Sequence, residues 1–597
     1  MNGIICKILI FAFIFPIAAE GQATSPERIA RFERGLLPPV RVKGDVPWTL
    51  EERMKHHKVP GVSIAVFNDF KITWAKAYGV ADNETKAAAT TKTLFQAGSI
   101  SKPVAAMVAL KKVQEGKILL DRNINEKLTS WQVPDNEFTD KKKVTLANLL
   151  SHTAGLTVHG FPGYAVGKNL PTLPQVLDGV EPANTGPVRV NMEPGTKFRY
   201  SGGGTTVAQL AIMDIEKKPF PQIADETVLK PLRMTNSTYS QPLTAEWRKG
   251  AATGHLRNGQ MVDGRIHVYP EMAAAGLWTT PTDLAKFAIE VQLSAAGRSN
   301  KVLTKEMTAK MVTPFMEEVG LGFFIETHQK TVYFGHGGAD QGFRAQLIVN
   351  RDKGYGAVVM VNSDNGGILS EIVDGLAQEY GWEEFLPAPY EVVRLTEKNL
   401  GGFAGRYRVN SDLALTVTRG DGRLSVRVSD GTNFDLFPIS ESTFIRKDAE
   451  IEYSFLGTTG ASNSIKIRSQ GSSTEAQRTE AGAMIPHELL LAGKIDQAIA
   501  DYRKIKIGAS DNIAISEGRL NGLGYSLLGQ KKLSEAIAVF RLNVEFYPMS
   551  ANAYDSLGEG YMENGDKELA IQNYKKALEL DPKNTNALEI LKKLEVK

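Results

Sequence analysis

The sequence predicts a multidomain chain: an α+β domain with an antiparallel sheet and flanking helices, a small all-β module, and an α-helical repeat region. Three observations carry this prediction. A β-rich pair of runs near the start is followed by a long apolar helix, and three further β runs close the first domain. Residues 395–478 then change to short alternating runs split by Gly and Asp. In the last hundred residues Leu523-Gly524 recurs as Leu557-Gly558, Ala536 as Ala570, Phe540 as Tyr574 and Pro548 as Pro582, each after 34 residues. A length of 597 residues is itself too great for one core.

Composition narrows the function classes. With 42% hydrophobic and 23% charged residues, the chain reads as an ordinary globular protein. A net charge of +3, with no basic stripe interleaved with aromatics, gives no case for nucleic acid. Lys7 precedes a short apolar run, Ile8 to Ala19, with small residues at its exit. This predicts a signal peptide over residues 1–23, a mature start between Glu20 and Ser25, and a periplasmic or secreted protein with no permanent membrane span. Cleavage would remove Cys6, the single cysteine, and with it any disulfide or cysteine metal site.

Taken in order, residues 24–45 read as an aperiodic lead-in and 47–57 as a short helix. Gly61 to Phe67 and Lys71 to Tyr78 read as a hairpin. Phe95-Gln96-Ala97-Gly98-Ser99-Ile100-Ser101-Lys102 follows, opening the apolar helix Pro103 to Leu110. Pro103 is tolerated in a first turn, and Lys102, three residues on, shares a face with Ser99. A serine hydroxyl is a weak nucleophile that needs a neighbouring base, which Lys102 can supply. Residues 157–195, rich in Gly, Pro and Asn, read as a long loop of the functional kind. Tyr200-Ser201-Gly202 then leads into a helix from Thr205 to about Ile215. A turn, a cap and a helix start fall between Ala274 and Phe287. The closing β runs are Thr331 to Phe334, which ends in Gly335-His336-Gly337-Gly338-Ala339, then Phe343 to Asn350 and Gly356 to Asn362. The first domain thus spans 24–390. The all-β module, of meander or barrel type, spans 395–478, with its exit beginning at Gly471. The repeats span 485–597, with an out-of-phase copy at Ala498 to Tyr502 and a capping helix at Asn586 to Leu594.

Ser99-Ile100-Ser101-Lys102, Tyr200-Ser201-Gly202 and His336-Gly337-Gly338 fall in the order and spacing of the three motifs of the serine β-lactamase and penicillin-binding-protein superfamily. Over residues 45–385 the chain resembles its class C, D-alanyl-D-alanine carboxypeptidase and esterase branch; the C-terminal region resembles tetratricopeptide repeats. The resemblance implies Ser99 as nucleophile, Lys102 as general base and Tyr200 as general acid/base. It also implies an oxyanion hole from the N–H groups of Ser99 and Ala339. His336, Gly337, Gly338 and Gly202 would line the substrate, with Arg344 near enough to meet a carboxylate. Two departures stand out: Gly202 replaces the family's Asn, and His336 replaces its Lys, leaving that position only partly charged at neutral pH.

His152 reads as a structural histidine capping a turn and Trp278 as a packing residue. His56, His57 and His159 lack companions at metal-ligand spacing, so neither a metal nor any other cofactor is expected. The expected function is an acyl-serine hydrolase acting on an amide or ester, with D-amino-acid peptides or peptidoglycan fragments first, small esters second and β-lactams third. The expected partners are a small-molecule or peptide substrate and a protein held by the repeats. The reading from another class is a non-catalytic binder on a hydrolase scaffold, which the intact Ser99, Lys102 and Tyr200 argue against.

Overall fold

The computed structural model describes residues 25–458, 461–469, 472–582 and 584–595; the expected signal segment and Cys6 lie outside them. The chain divides into two compact units, one of residues up to 38 and 46–388, the other of residues 39–45 and 389–597.

The first unit is built on a six-stranded antiparallel sheet. Its order is Lys71–Gly79, Gly61–Asn68, Gly356–Val361, Phe343–Asn350, Thr331–Asp340, Phe324–His328. Central strands carry nearly unbroken apolar runs because both faces are covered. Along Gly61–Asn68, Val62, Ile64 and Val66 enter one core and Ala65 and Phe67 the other. The first core packs the helices Leu50–His56 and Gly367–Tyr380 through Leu50, Ile368, Ile372 and Leu376. The second holds Ser101–Gln114, apolar all round and buried from Ser101 to Leu110, and Pro281–Ala295.

Several expectations change in the structure. The lead-in contains a helix, Ser25–Phe32, whose Phe32 ring meets Trp74 at 5.9 Å. Eight residues are too few to show a helical period by eye, and one anchored aromatic secures it. Residues 39–45, placed by sequence in the first domain, belong to the second unit, where Val40 and Val42 pack on Ile445. The long loop holds a helix, Leu173–Asp178, stopped by Gly179 in the left-handed region. Thr172 and Gln175 form its capping box, a signal present in the sequence. The 205–215 helix starts earlier, at Gly202, with Ser201 as its N-cap. The third-motif strand does not end at Phe334; it runs through the glycines to Asp340, paired with Phe343–Asn350 from Tyr333↔Asn350 to Asp340↔Phe343. Its partner's apolar strand holds it extended despite poor intrinsic β-propensity.

In the second unit, eight strands from Gly405–Arg408 to Ser472–Thr479 close into an up-and-down barrel, the first pairing with the last. Leu424, Val426 and Val428 face its core and alternate with Ser425 and Arg427. The last strand begins where an exit was expected; the barrel ends at Thr479, because Ser472–Thr479 is needed for closure. Helices from Pro486–Leu491 to Thr585–Glu595 follow in antiparallel pairs. Phe540 packs on Gly524 and Tyr574 on Gly558: a Cβ at those glycines would stand 2.3 and 3.2 Å from the rings. Ala498 and Tyr502 fill the same roles in the first pair, and the 3-10 turn Ile513–Ile515 lies in the connection where that copy falls out of phase.

Candidate active site

Ser99 occupies a 3-10 turn, Gly98–Ile100, that runs directly into the Ser101–Gln114 helix. Gly98 has φ +52°, and a Cβ there would stand 2.4 Å from the Ala339 nitrogen. A Cβ on Gly338 would stand 2.0 Å from the Ala97 carbonyl oxygen. Residues 97–98 and 338–339 therefore meet main chain to main chain, a contact only glycines permit. Ser99 and Ala339 are the residues flanking this contact. The turn is clamped from behind: Leu277 N–H donates to Ser101 Oγ (3.0 Å) and Tyr239 Oη to the Ser101 carbonyl (2.7 Å).

Lys102 is 4% exposed, so its ammonium end reaches Ser99 through protein rather than solvent. Nζ lies 2.9 Å from Ser99 Oγ, 2.8 Å from the Ala274 carbonyl oxygen and 5.0 Å from the Tyr200 ring centre. The Ala274 carbonyl belongs to the short helix Met272–Ala275, which Gln209 holds by accepting the Ala273 N–H at 2.7 Å.

Tyr200 precedes the N-cap Ser201, whose Oγ accepts from Gly204 N–H and donates to the Thr157 carbonyl (2.8 Å). His152, buried with φ +57°, accepts the Ser201 N–H on Nδ1 and lays its ring 4.3 Å from that of Tyr200. It does more than cap a turn: it fixes the Tyr200–Ser201 backbone and backs the phenol ring. Burial, then the charge of Lys102, holds it far below the usual imidazole range, hence neutral. Phe324 stacks with Tyr200, ring centres 6.2 Å apart.

His336 is also buried, and its Nδ1 donates to the Gly337 carbonyl at 2.6 Å, leaving Nε2 as a lone acceptor. Burial first and Lys102 second push it down to about 3. The partial charge expected from sequence is therefore absent near neutral pH. Arg344 lies on the strand beside that of His336, where its Nη1 pairs with Asp364 at 2.8 Å and donates to the carbonyls of Asp340 (2.7 Å) and Phe343 (2.6 Å). Gly337 is exposed and Gly338 buried against Ala97. Gly202 is buried under Phe161. Trp278 is fully buried, as a packing residue.

Beneath this surface lie two carboxyl groups that sequence reasoning missed. Asp340 and Glu271 are both buried, and none of their four oxygens has a well-formed hydrogen bond; the Asp340 carboxyl faces the Gly98 N–H. Burial pushes Asp340 well above the carboxylate range against the pull of Lys102 and Arg344, and pushes Glu271 up to about 7. His152, Phe324 and the Ala274 carbonyl also escaped the motif reading. The turn and helix start between Ala274 and Phe287 flagged the neighbourhood of the Ala274 carbonyl. Among the described residues no group of three or more His, Cys, Asp or Glu side chains is arranged to hold a metal ion.

The chain is similar in sequence to several known proteins. A tetratricopeptide-repeat model matches residues 551–584. Protein flp of Staphylococcus aureus (strain N315) is 24% identical over 338 residues, 55% of this chain and 64% of its own length. The chain thus spans just under two thirds of the length of these curated relatives. Penicillin-binding protein 4 of Amycolatopsis lactamdurans is 25% identical over 350 residues, 55% of this chain and 86% of that one. Among solved structures, the octameric penicillin-binding protein homologue from Pyrococcus abyssi is similar with a TM-score of 0.48 and 21% identity, covering 71% of this chain and 98% of its own. D-amino acid amidase from Ochrobactrum anthropi SV3 follows with 0.45 and 21%, covering 56% and 96%. The β-lactamase family model matches residues 49–372, more than half of the 597, and takes in all three motifs: the chain belongs to the β-lactamase family.

Proposed function

We propose that the chain is a serine hydrolase that cleaves neutral esters or amides through an acyl-serine intermediate. The observation that carries this reading is the 2.9 Å contact between Lys102 Nζ and Ser99 Oγ beside the apposed main chains of Gly98 and Ala339. In its neutral form Lys102 takes the Ser99 hydroxyl proton as Oγ attacks the carbonyl carbon. The N–H groups of Ser99 and Ala339 receive the negative charge that develops on the carbonyl oxygen. Tyr200, within reach of Lys102, passes the proton to the leaving group and then takes one from the water that frees the acyl group.

The surroundings select the substrate. A carboxylate-ended peptide needs a fixed cation; His336 is neutral, and Arg344 is turned to Asp364 and two main-chain carbonyls through Nη1. This reverses the order expected from sequence: small neutral esters or amides come before D-amino-acid peptides with a free terminus. The apolar Ile8–Ala19 run supports action outside the cytoplasm. The test is mass spectrometry of the intact protein after a fluorophosphonate and, given the relative named a penicillin-binding protein, after benzylpenicillin. A fluorophosphonate adduct on Ser99, with turnover of p-nitrophenyl acetate, is expected. No adduct and no turnover would favour a binding protein on a hydrolase scaffold.

A further inference from the structure

The residue that replaces the family's Asn is a glycine, and the space an Asn side chain would need is filled. A Cβ built on Gly202 would meet Phe161 Cε2 at 3.0 Å, the His159 carbonyl oxygen at 3.2 Å and Phe161 Cδ2 at 3.4 Å. Ordinary van der Waals contact starts further out, so any side chain at 202 would displace the ring or the loop.

The ring is held there by main chain. Gly202 N–H donates to the His159 carbonyl (3.0 Å), Gly203 N–H to the Val158 carbonyl (3.1 Å), and Ser201 Oγ to the Thr157 carbonyl. His159 Nδ1 donates to the Tyr200 carbonyl at 2.6 Å, so the loop grips Tyr200 as well. On the far side the Pro162 carbonyl accepts from His267 Nδ1 at 2.9 Å. Phe161, half-exposed between these anchors, is presented on Gly202, which follows Tyr200 by two residues, by a stapled loop rather than a free one.

The same hydrogen bonds remove an alternative. A helix N-terminus next to a catalytic centre attracts anions through unpaired N–H groups. Here the N–H groups of Gly202, Gly203 and Gly204 are taken by His159, Val158 and Ser201. Around Tyr200, the rings of His152 and Phe324 pack on the phenol, Lys102 Nζ lies 5.0 Å from its centre, and Phe161 sits on Gly202, two residues further along the chain.

We propose that Phe161, seated on Gly202 in place of an amide side chain, is a specificity-determining residue that selects an apolar acyl group, so that the substrates are uncharged esters with a hydrophobic acyl chain. This rests on the hydrolase reading above. Removing the ring takes away apolar surface that only a longer acyl chain can reach, so the loss grows with chain length.

The experiment uses the full chain and p-nitrophenyl acetate, butyrate and octanoate, with a D-alanyl-D-alanine-ended tripeptide as the charged probe. Wild type is expected to favour octanoate or butyrate over acetate in kcat/KM and to hydrolyse the tripeptide at least a hundredfold more slowly. Phe161→Ala is expected to lower the octanoate-to-acetate ratio of kcat/KM at least tenfold, chiefly through KM, and Phe161→Leu to restore most of it. A ratio unchanged by Phe161→Ala, or a wild type that prefers the tripeptide, overturns the inference. Circular dichroism and fluorophosphonate labelling of Ser99 in each variant separate this failure from others. Labelling without a change in ratio sinks only the role of Phe161, whereas absence of labelling in wild type sinks the hydrolase reading itself. Should Phe161→Ala fold poorly, the Leu, Val and wild-type proteins still rank the ratio by side-chain size, and no trend among them is equally fatal.

Discussion

The two sides of the Ser99 cleft are held in different ways. On one side Ser99 and Lys102 sit three residues apart on one stretch of turn and helix, and their 2.9 Å contact follows from helical spacing. On the other side Ala339 and His336 reach the site only because Thr331–Asp340 pairs with Phe343–Asn350 and Gly338 lets the strand close on Ala97. The nucleophile and its base are therefore a local device. The groups that meet charge and substrate are a tertiary one, set by packing that no short motif specifies.

The largest effect belongs to the local side. Lys102→Ala should abolish acylation, by roughly a thousandfold or more in the rate of fluorophosphonate labelling, with an unchanged circular dichroism spectrum, because a nucleophile and its base act as a unit. Near-wild-type labelling by a folded variant would break the comparison at its root.

On the tertiary side the two glycines of the third motif should behave oppositely. A Cβ on Gly338 collides with the Ala97 carbonyl, whereas one on Gly337 meets nothing nearer than Gln346 Oε1 at 3.5 Å. Gly338→Ala is expected to cost about 3 kcal/mol of stability and most of the turnover, as overpacking does, while Gly337→Ala costs under about 0.5 kcal/mol, as exposed substitutions do. Urea unfolding and ester kinetics on both read this out; equal behaviour would show that the strand gives way rather than the site.

Glu271 sharpens the contrast through pH. Its folded carboxyl titrates at about 7, above an ordinary value of 4.5, so the folded state holds the proton more tightly than the unfolded one. Its contribution to stability is thus complete below about pH 4.5 and is lost as pH rises through 7, by about 3 kcal/mol in all. Glu271→Gln should remove that slope: relative to wild type it gains stability at pH 8 and gains little at pH 4.5. Thermal melts at the two pH values that shift alike would mean the carboxyl is not desolvated in solution.

What the sequence made legible follows the same division. The hairpin, the Ser99 helix, the three motifs in order and the 34-residue period were readable because each depends on spacing within one segment. Ser25–Phe32 and the Leu173–Asp178 helix were missed because short helices gain their stability from tertiary anchors such as Phe32 on Trp74. The state of His336 and the pairing of Arg344 were beyond reach for a stronger reason. Imidazole protonation depends on burial beside Lys102, and Arg344 finds Asp364 only once Phe343–Asn350 is paired into the sheet. Phe161 lies 41 residues before Gly202, in a stretch with no periodicity, and nothing short of the fold brings them together.

The smallest catalytic effect is expected from the region furthest from the motifs in sequence. The repeats were read as a separable binding array, yet barrel and helices form one compact unit: Arg519 and Tyr502 hold the buried Asp412 at 2.9 and 3.1 Å, and Arg406 pairs with Glu488. Ending the chain at Thr479 strips both partners from Asp412 and removes Glu488 from Arg406. The barrel should then be less stable, since the packing and hydrogen bonds at this junction are lost. None of the side chains placed around Ser99 comes from this unit. Residues 24–479 should accordingly keep kcat/KM for p-nitrophenyl acetate within about threefold of residues 24–597 while melting earlier in the barrel transition. A loss above about tenfold, or about 1.4 kcal/mol of transition-state stabilisation, would show that the local device at Ser99 depends on the second unit after all.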